Sequence, residues 1–230
     1  MANKKQRARA AAEAARKAQE QKTAKRNLIL VIAAVRAGAA VALWAVLGGD
    51  RNPGGRPAGD YLTGKHYVQI EVQDYGVITA ELDADAAPIT VTNFVNLVNQ
   101  GFYDGLTFHR IIAGFMIQGG DPLGNGLGGS DEKIWGEFAA NGWDNPIKHE
   151  RGVISMARSS APDSASSQFF IMHQAAPQLD GSYAAFGRVL TGMEVVDAIC
   201  QNTPVVDGNG TVASGHAPVI TSIKVIEKPE

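Results

Sequence analysis

From Tyr67 onward, apolar and polar positions alternate with a period of two. Val68, Ile70 and Val72 are separated by Gln69, Glu71 and Gln73, the pattern of a strand with one face buried. Asp74-Tyr-Gly76 supplies a turn, so residues 77–82 are predicted to pair back as a hairpin. The period then changes. Pro88 suits a first helical turn, and Val91, Phe94, Val95 and Val98 form an apolar stripe that ends at Gly101. Further short strands are predicted over 106–112, 115–118, 152–157, 168–173 and 184–190. A second helix over about 192–200 and a closing strand over 218–227 complete the set. Many short strands with only two helices predict a mainly β fold, an antiparallel barrel whose ends the helices plug.

The region before this domain follows different rules. Leu28 to Leu47 is apolar apart from Arg36, and at 1.5 Å per residue it reaches roughly 30 Å, one hydrocarbon core. A central arginine costs about 2.5–3.5 kcal/mol on insertion scales, while each Leu, Ile or Val returns only about 0.3–0.6. Residues 1–27 carry nine Lys and Arg against Glu13 and Glu20, a charge of +7 that leaves −9 for the rest of a chain whose net charge is −2. A positive flank keeps the N-terminal side of a span in the cytoplasm. The chain is therefore divided into a basic cytoplasmic tail (1–27), a transmembrane anchor (28–47), a Gly/Pro-rich linker (48–65) and one domain (66–230). The domain is expected outside the cytoplasm. A cleaved signal peptide and a surface-lying helix are the alternatives.

Charge and composition also narrow the chemistry. A mildly acidic body does not match a nucleic-acid-binding domain, although the basic tail leaves RNA contact open as a rival. Cys200 is the only cysteine, so the domain must rely on its core rather than on an internal disulfide. The five histidines form no i,i+4 pair and have no cysteine nearby, which leaves a metal site without support. Gly124-Asn-Gly-Leu-Gly-Gly129 matches a dinucleotide fingerprint in letters only, because no helical pattern follows it. A triad drawn from Ser167, His173 and Asp163 lacks any nucleophile elbow.

The most informative stretch is Thr107-Phe-His-Arg-Ile-Ile-Ala-Gly-Phe-Met-Ile-Gln-Gly-Gly120. It sets one permanent cation, Arg110, and one amide, Gln118, in an apolar run. The spacing Phe108, Arg110, Ile112 predicts these three on one strand face. Ser166-Ser-Gln-Phe-Phe-Ile-Met172 again places an amide beside aromatics. On the residues alone, Arg110 is equally well read as a barrel arginine paired with a carboxylate or as a site residue. Together the blocks predict an apolar groove with few polar groups, suited to binding or to a reaction that breaks no bond.

These blocks, with Gly119-Gly-Asp121, Gly152-Val-Ile-Ser-Met-Ala157, Leu179-Asp-Gly181 and Phe186-Gly-Arg-Val189, closely resemble the cyclophilin-type peptidyl-prolyl cis-trans isomerases from about Tyr67 to Ile226. The resemblance implies a closed eight-stranded antiparallel barrel capped by two α-helices. It also implies an isomerase that needs no cofactor and acts on proline-containing polypeptides, here expected to be exported proteins, with no oligomeric partner. By the same resemblance Arg110 is the catalytic arginine, and Phe115, Met116, Phe170 and Leu179 form the proline pocket. Gln118 and Gln168 are the amides that hold substrate backbone, while His109 and Ala157 line the site. Four positions depart from the commonest pattern. Tyr183 stands for a histidine and Gln178 for a rim tryptophan. Arg158 stands for an asparagine whose contact is through backbone, and Ala113 for a proline in the turn. Weak inhibition by cyclosporin is expected from Gln178. A non-catalytic proline-peptide-binding module is the remaining rival.

Overall fold

The computed structural model describes residues 57–213 and 215–229; the expected tail, span and most of the linker lie outside them. Its strands are β1 (Lys65–Val72), β2 (Gly76–Asp83), β3 (Thr107–Ile112), β4 (Met116–Asp121), β5 (Val153–Met156), β6 (Phe169–Met172), β7 (Ala185–Thr191) and β8 (Ile220–Ile226). Two helices, α1 (Pro88–Asn99) and α2 (Met193–Asn202), follow β2 and β7. Two one-turn 3-10 helices that the sequence pattern did not announce lie at Ala139–Asn141 and Pro177–Leu179. Among the described residues no helix is long and apolar enough to cross a membrane.

The strands form one curled antiparallel sheet in the order β3-β4-β6-β5-β7-β2-β1-β8. The expected hairpin is present, with Val72 opposite Gly76 and Val68 opposite Ala80. The closed barrel is not completed by a ladder. Edge strands β3 and β8 meet at an isolated bridge just before the first residue of β8, Thr107 to Val219, with Phe108 N donating to Pro218 O and Ile220 N to Leu106 O. The reason lies in the other half of β3. Its free edge is taken by the segment after α2, where Arg110 bridges Thr211 and Ile111 N donates to Gly210 O.

Alternation along the strands divides the apolar residues between the two sheet faces. The inner face carries Val68, Ile70, Ile78, Leu82, Ile117, Ile154, Phe169 and Phe186, all fully buried. Helix α1 covers this face with Val91, Phe94, Val95 and Val98. Phe94 touches three rings, Tyr103 at 5.0 Å, Phe186 at 5.2 Å and Phe169 edge-on at 5.4 Å. Glu137, fully buried, accepts hydrogen bonds from Ile89 N (2.9 Å) and Thr90 N (2.8 Å). These are two of the donors that a helix start leaves unpaired, and a carboxylate there also complements the helix dipole.

The outer face carries a smaller cluster: Met116, Val153, Phe170, Met172, Ala176 and Ala185, with Phe115, Leu179 and Tyr183 packed beside it. Phe169 and Phe170 are neighbours in sequence and belong to opposite faces. The inner ring completes the core, and the outer one becomes part of a site.

Candidate active site

Arg110 reaches the outer face because β3 is irregular. The register slips between Phe108 and Arg110, which pair with Gly119 and Gln118 respectively. This bulge at His109 breaks the predicted alternation. Phe108 and Ile111 belong to the inner core, whereas Arg110 and Ile112 are half-buried, and Ile112 packs with the outer cluster. A bulge re-aims a side chain in this way by adding a residue to one strand only.

The guanidinium is held by neutral groups. Nε donates to Asn209 O (2.9 Å), Nη2 to Asn209 Oδ1 (3.1 Å) and Nη1 to Gln118 Oε1 (3.2 Å). Gln118 Nε2 donates to Gln168 Oε1 (2.8 Å), and Gln168 Nε2 to Gly128 O (2.7 Å). Among the described residues Arg110 pairs with no carboxylate, and these bonds use three of the five N–H groups of an arginine. Burial pushes its pKa down, partly offset by Tyr183 and Asp207; a guanidinium remains cationic through such a shift.

Beside it lies a cavity of ≈ 520 Å³, lined by His109, Arg110, Phe115, Met116, Gln118, Gly124, Asn125, Gly126, Ala157, Arg158, Phe170, Leu179, Tyr183, Asn209 and Thr211. A second cavity of ≈ 380 Å³ shares Gln118, Gly126, Ala157 and Arg158 and continues past Gln168. Three supports give the first cavity its shape. Asp121 accepts from the backbone N–H of Leu123, Asn125 and Gly126 at 2.8, 3.0 and 2.6 Å. Burial raises the pKa of this carboxyl, but the backbone bonds outweigh it and hold it below its usual value. The glycine-rich 124–129 stretch is therefore a loop wrapped on a carboxylate, and Gly126 (φ +86°) adopts a backbone conformation open chiefly to glycine.

The second support is Arg158. Its guanidinium carbon lies 4.9 Å from the Phe138 ring centre and 4.8 Å from that of Tyr183, with Nε donating to Ser182 O (3.0 Å). The side chain braces the aromatic wall by cation–π contact, a role that a backbone-only reading of this position missed. The third support lies beneath Phe170. His149 is buried, Nδ1 3.0 Å from Asp180 Oδ1 and Nε2 3.1 Å from Ser155 Oγ, its ring stacked on Phe170 at 6.1 Å. Asp180 can only accept, so Nδ1 carries the proton and Ser155 donates to Nε2. This chain has triad order, but Ser155 is fully buried and lines neither cavity. The triad considered from sequence is not assembled. Ser167 bonds Gly120 O, and Asp163 bonds Gly136 N and Asn141.

The pattern described as cyclophilin type peptidyl-prolyl cis-trans isomerase/CLD matches residues 67–225. The chain belongs to this family. It is 48% identical over 123 residues to peptidyl-prolyl cis-trans isomerase B of Bacillus subtilis, covering 54% of this chain and 82% of that protein. Peptidyl-prolyl cis-trans isomerase-like 2 of Cryptococcus neoformans is 46% identical over 138 residues, 59% of this chain, and the match spans only 23% of that relative. Among solved structures, a cyclophilin type peptidyl-prolyl cis-trans isomerase of Cryptosporidium parvum, determined in the presence of the dipeptide Ala-Pro, matches with a TM-score of 0.62 and 33% identity. The match covers 70% of this chain and 99% of that one.

Of the residues expected at the site of this cyclophilin, His109, Arg110, Phe115, Met116, Gln118, Ala157, Arg158, Phe170, Leu179 and Tyr183 converge on the larger cavity. Gln168 lines the adjoining one. Gln178 sits exposed on the 177–179 turn, outside both linings. His109 is 6% exposed, and neither ring nitrogen makes a well-directed hydrogen bond among the described residues. Burial pushes its pKa down, and Arg110 adds to this; Asp121 and the Thr107 backbone oppose it without prevailing. Asn125, Asn209 and Thr211 escaped the sequence reading. Asn125 lies in the glycine-rich stretch that reads as a surface loop, the other two belong to no motif, and Asn209 lies 99 positions from the arginine it holds.

Proposed function

We propose that the Arg110 cavity is where this cyclophilin isomerises X-Pro bonds, with Arg110 acting on the prolyl nitrogen. The observation that carries this reading is a half-buried guanidinium held by neutral amides and carbonyls beside an apolar wall. The rival role, a structural arginine paired with a carboxylate, would have spent its charge on that partner.

Rotation about an X-Pro bond faces a barrier of about 18–20 kcal/mol, because the planar amide is stabilised by resonance. In the twisted form the nitrogen lone pair is no longer delocalised into the carbonyl. Phe115, Met116, Phe170 and Leu179 offer an apolar seat for the pyrrolidine ring and favour the less polar twisted amide. Arg110 has N–H groups left to donate to the lone pair that emerges only on twisting. A donor used more in the transition state than in the ground state is what accelerates a reaction. Gln118 and Gln168 hold the guanidinium in line and present amide groups to the substrate backbone. The Ala-Pro dipeptide named with the Cryptosporidium parvum structure supports proline-containing peptides as the ligand class. An isomerisation assay on a proline peptide, run on the unmodified protein and on Arg110→Ala, tests the assignment. Equal turnover in two folded proteins would refute it.

The same proposal extends to place. The basic flank and the apolar 28–47 segment support an anchor that sets the isomerase on the far side of a membrane. There it would act as a monomer, speeding the folding of exported chains held up by prolyl steps of tens to hundreds of seconds. Protease added to intact spheroplasts is expected to cut near Gly54 and to spare the basic tail. Release of the full-length chain by high salt alone would contradict anchoring.

A further inference from the structure

The wall residue Phe115 stands on an exposed turn, and one side chain outside the cavity holds that turn in place. The turn runs Ile112-Ala-Gly-Phe115, closed by Phe115 N donating to Ile112 O (2.9 Å). Ala113 and Gly114 are exposed, and Gly114 sits at φ +82°, so no proline or packed side chain stiffens the apex. His173, just beyond β6, grips it from two sides. Its backbone N donates to Phe115 O (2.8 Å), and its ring Nδ1 accepts from Gly114 N (2.8 Å).

The far edge of the ring faces α2. A backbone N–H can only donate, so Nδ1 presents its lone pair and the neutral ring carries its proton on Nε2. Nε2 lies 3.2 Å from Asp197 Oδ1 on α2. That contact is close in distance but off the line of a good hydrogen bond, since the buried Oδ1 has no well-directed partner among the described residues. Arg151 closes the frame, donating to His173 O (2.7 Å) and to Asp197 Oδ2 (2.8 Å).

We infer that His173 is a positioning residue for proline binding, setting Phe115 against the cavity through its Nδ1 bond to Gly114, with Asp197 and Arg151 orienting the ring. This rests on the isomerase reading. If that reading fails, the unmodified protein shows no turnover; if only the His173 assignment fails, turnover persists and the variants below behave differently.

Phe115 is one member of the apolar seat and grips the pyrrolidine ring, which is the same before and during rotation, so loosening it mainly weakens uniform binding, which appears in KM more than in kcat. His173→Ala is expected to raise KM for a short Ala-Pro peptide about fivefold, with kcat within about twofold; at 1.4 kcal/mol per decade this is ~1 kcal/mol. Asparagine carries an acceptor at the δ position and can keep the Gly114 bond. Glutamine places its polar atoms one bond further out, towards Asp197. His173→Asn should therefore restore KM to within about twofold of the unmodified enzyme, while His173→Gln stays with the alanine variant. Unfolding temperatures are measured alongside. An unchanged KM in His173→Ala overturns the inference, as does an asparagine variant no better than the other two, because either result leaves His173 at most a stabilising residue.

Discussion

Phe169 and Phe170 follow one another on β6, and the difference between their surroundings is the difference between a core and a site. Phe169 points inward and meets Phe94, Tyr103 and Phe108, all fully buried. Phe170 points outward, with buried His149 on one side, Tyr183 edge-on at 5.9 Å and a cavity of ≈ 520 Å³ beside it. The inner face is closed by α1, whose Val91, Phe94, Val95 and Val98 pack against it. The outer face stays open and is bordered by Arg110, Gln118 and Arg158, whose polar groups are tied to each other, to the side-chain amides of Asn209 and Gln168, or to backbone. Dense packing gives stability, and a half-packed apolar face gives a place where a ligand replaces the missing neighbours.

The contrast is tested most severely by removing one ring from each face. Phe94→Ala should cost about 3–5 kcal/mol of unfolding free energy, the range for a large buried aromatic. Phe170→Ala should cost at least ~1 kcal/mol less, because its buried ring already borders a cavity, and should lose more activity. Urea unfolding with a proline-peptide assay on both variants measures this, and equal stability losses would erase the distinction. Arg110→Ala is the counterpart on the polar side. Its kcat/KM should fall by roughly 10²–10³, about 2.7–4 kcal/mol, as for loss of one transition-state donor, with little change in unfolding temperature.

A smaller effect concerns the exposed rim. Gln178 lies outside the cavity lining, so Gln178→Trp should leave peptide turnover intact. It should tighten cyclosporin inhibition about tenfold or more, at 1.4 kcal/mol per decade, as inhibition curves for the two proteins would reveal. The gentlest probe is pH. Burial lowers the pKa of His109 and His149 on folding, so below about 6.5 the unfolded chain takes up protons that the folded one refuses. Their contribution to stability is complete above that pH and lost as pH falls towards their folded values. For Asp121 and Asp180 burial acts upward, but hydrogen bonds prevail and leave both depressed. Their contribution persists until about pH 4 and then declines. Denaturant titrations should thus show two stages of acid loss, and a flat profile from pH 7.5 to 5.5 would remove the first.

Local pattern alone located the elements. Alternation at Val68, Ile70 and Val72 and the stripe Val91, Phe94, Val95, Val98 depend on periods of 2 and 3.6, which need only near neighbours. The blocks around Arg110 and Gln168 marked most of the cavity wall through their resemblance to the cyclophilin-type isomerases, whereas spacing alone left Arg110 open between a structural and a site role. What escaped depends on contacts between distant segments. The bulge at His109 reverses the face of Phe108 relative to Arg110, and its register is set by the partner strand β4. Asn209 grips Arg110 from 99 positions away, His149 finds Asp180 across 31, and the frame of His173, Gly114 and Asp197 joins three elements. By itself the sequence determined which segments become strands and helices, which of their stripes are apolar, and where the cation Arg110 stands among them. Only the tertiary structure decided what that cation bonds to, what braces the aromatic wall, and which face of β3 each residue takes. Hydrogen-bond partners are chosen by distance in space, and a chain's local periodicity carries no record of which distant segment will arrive there.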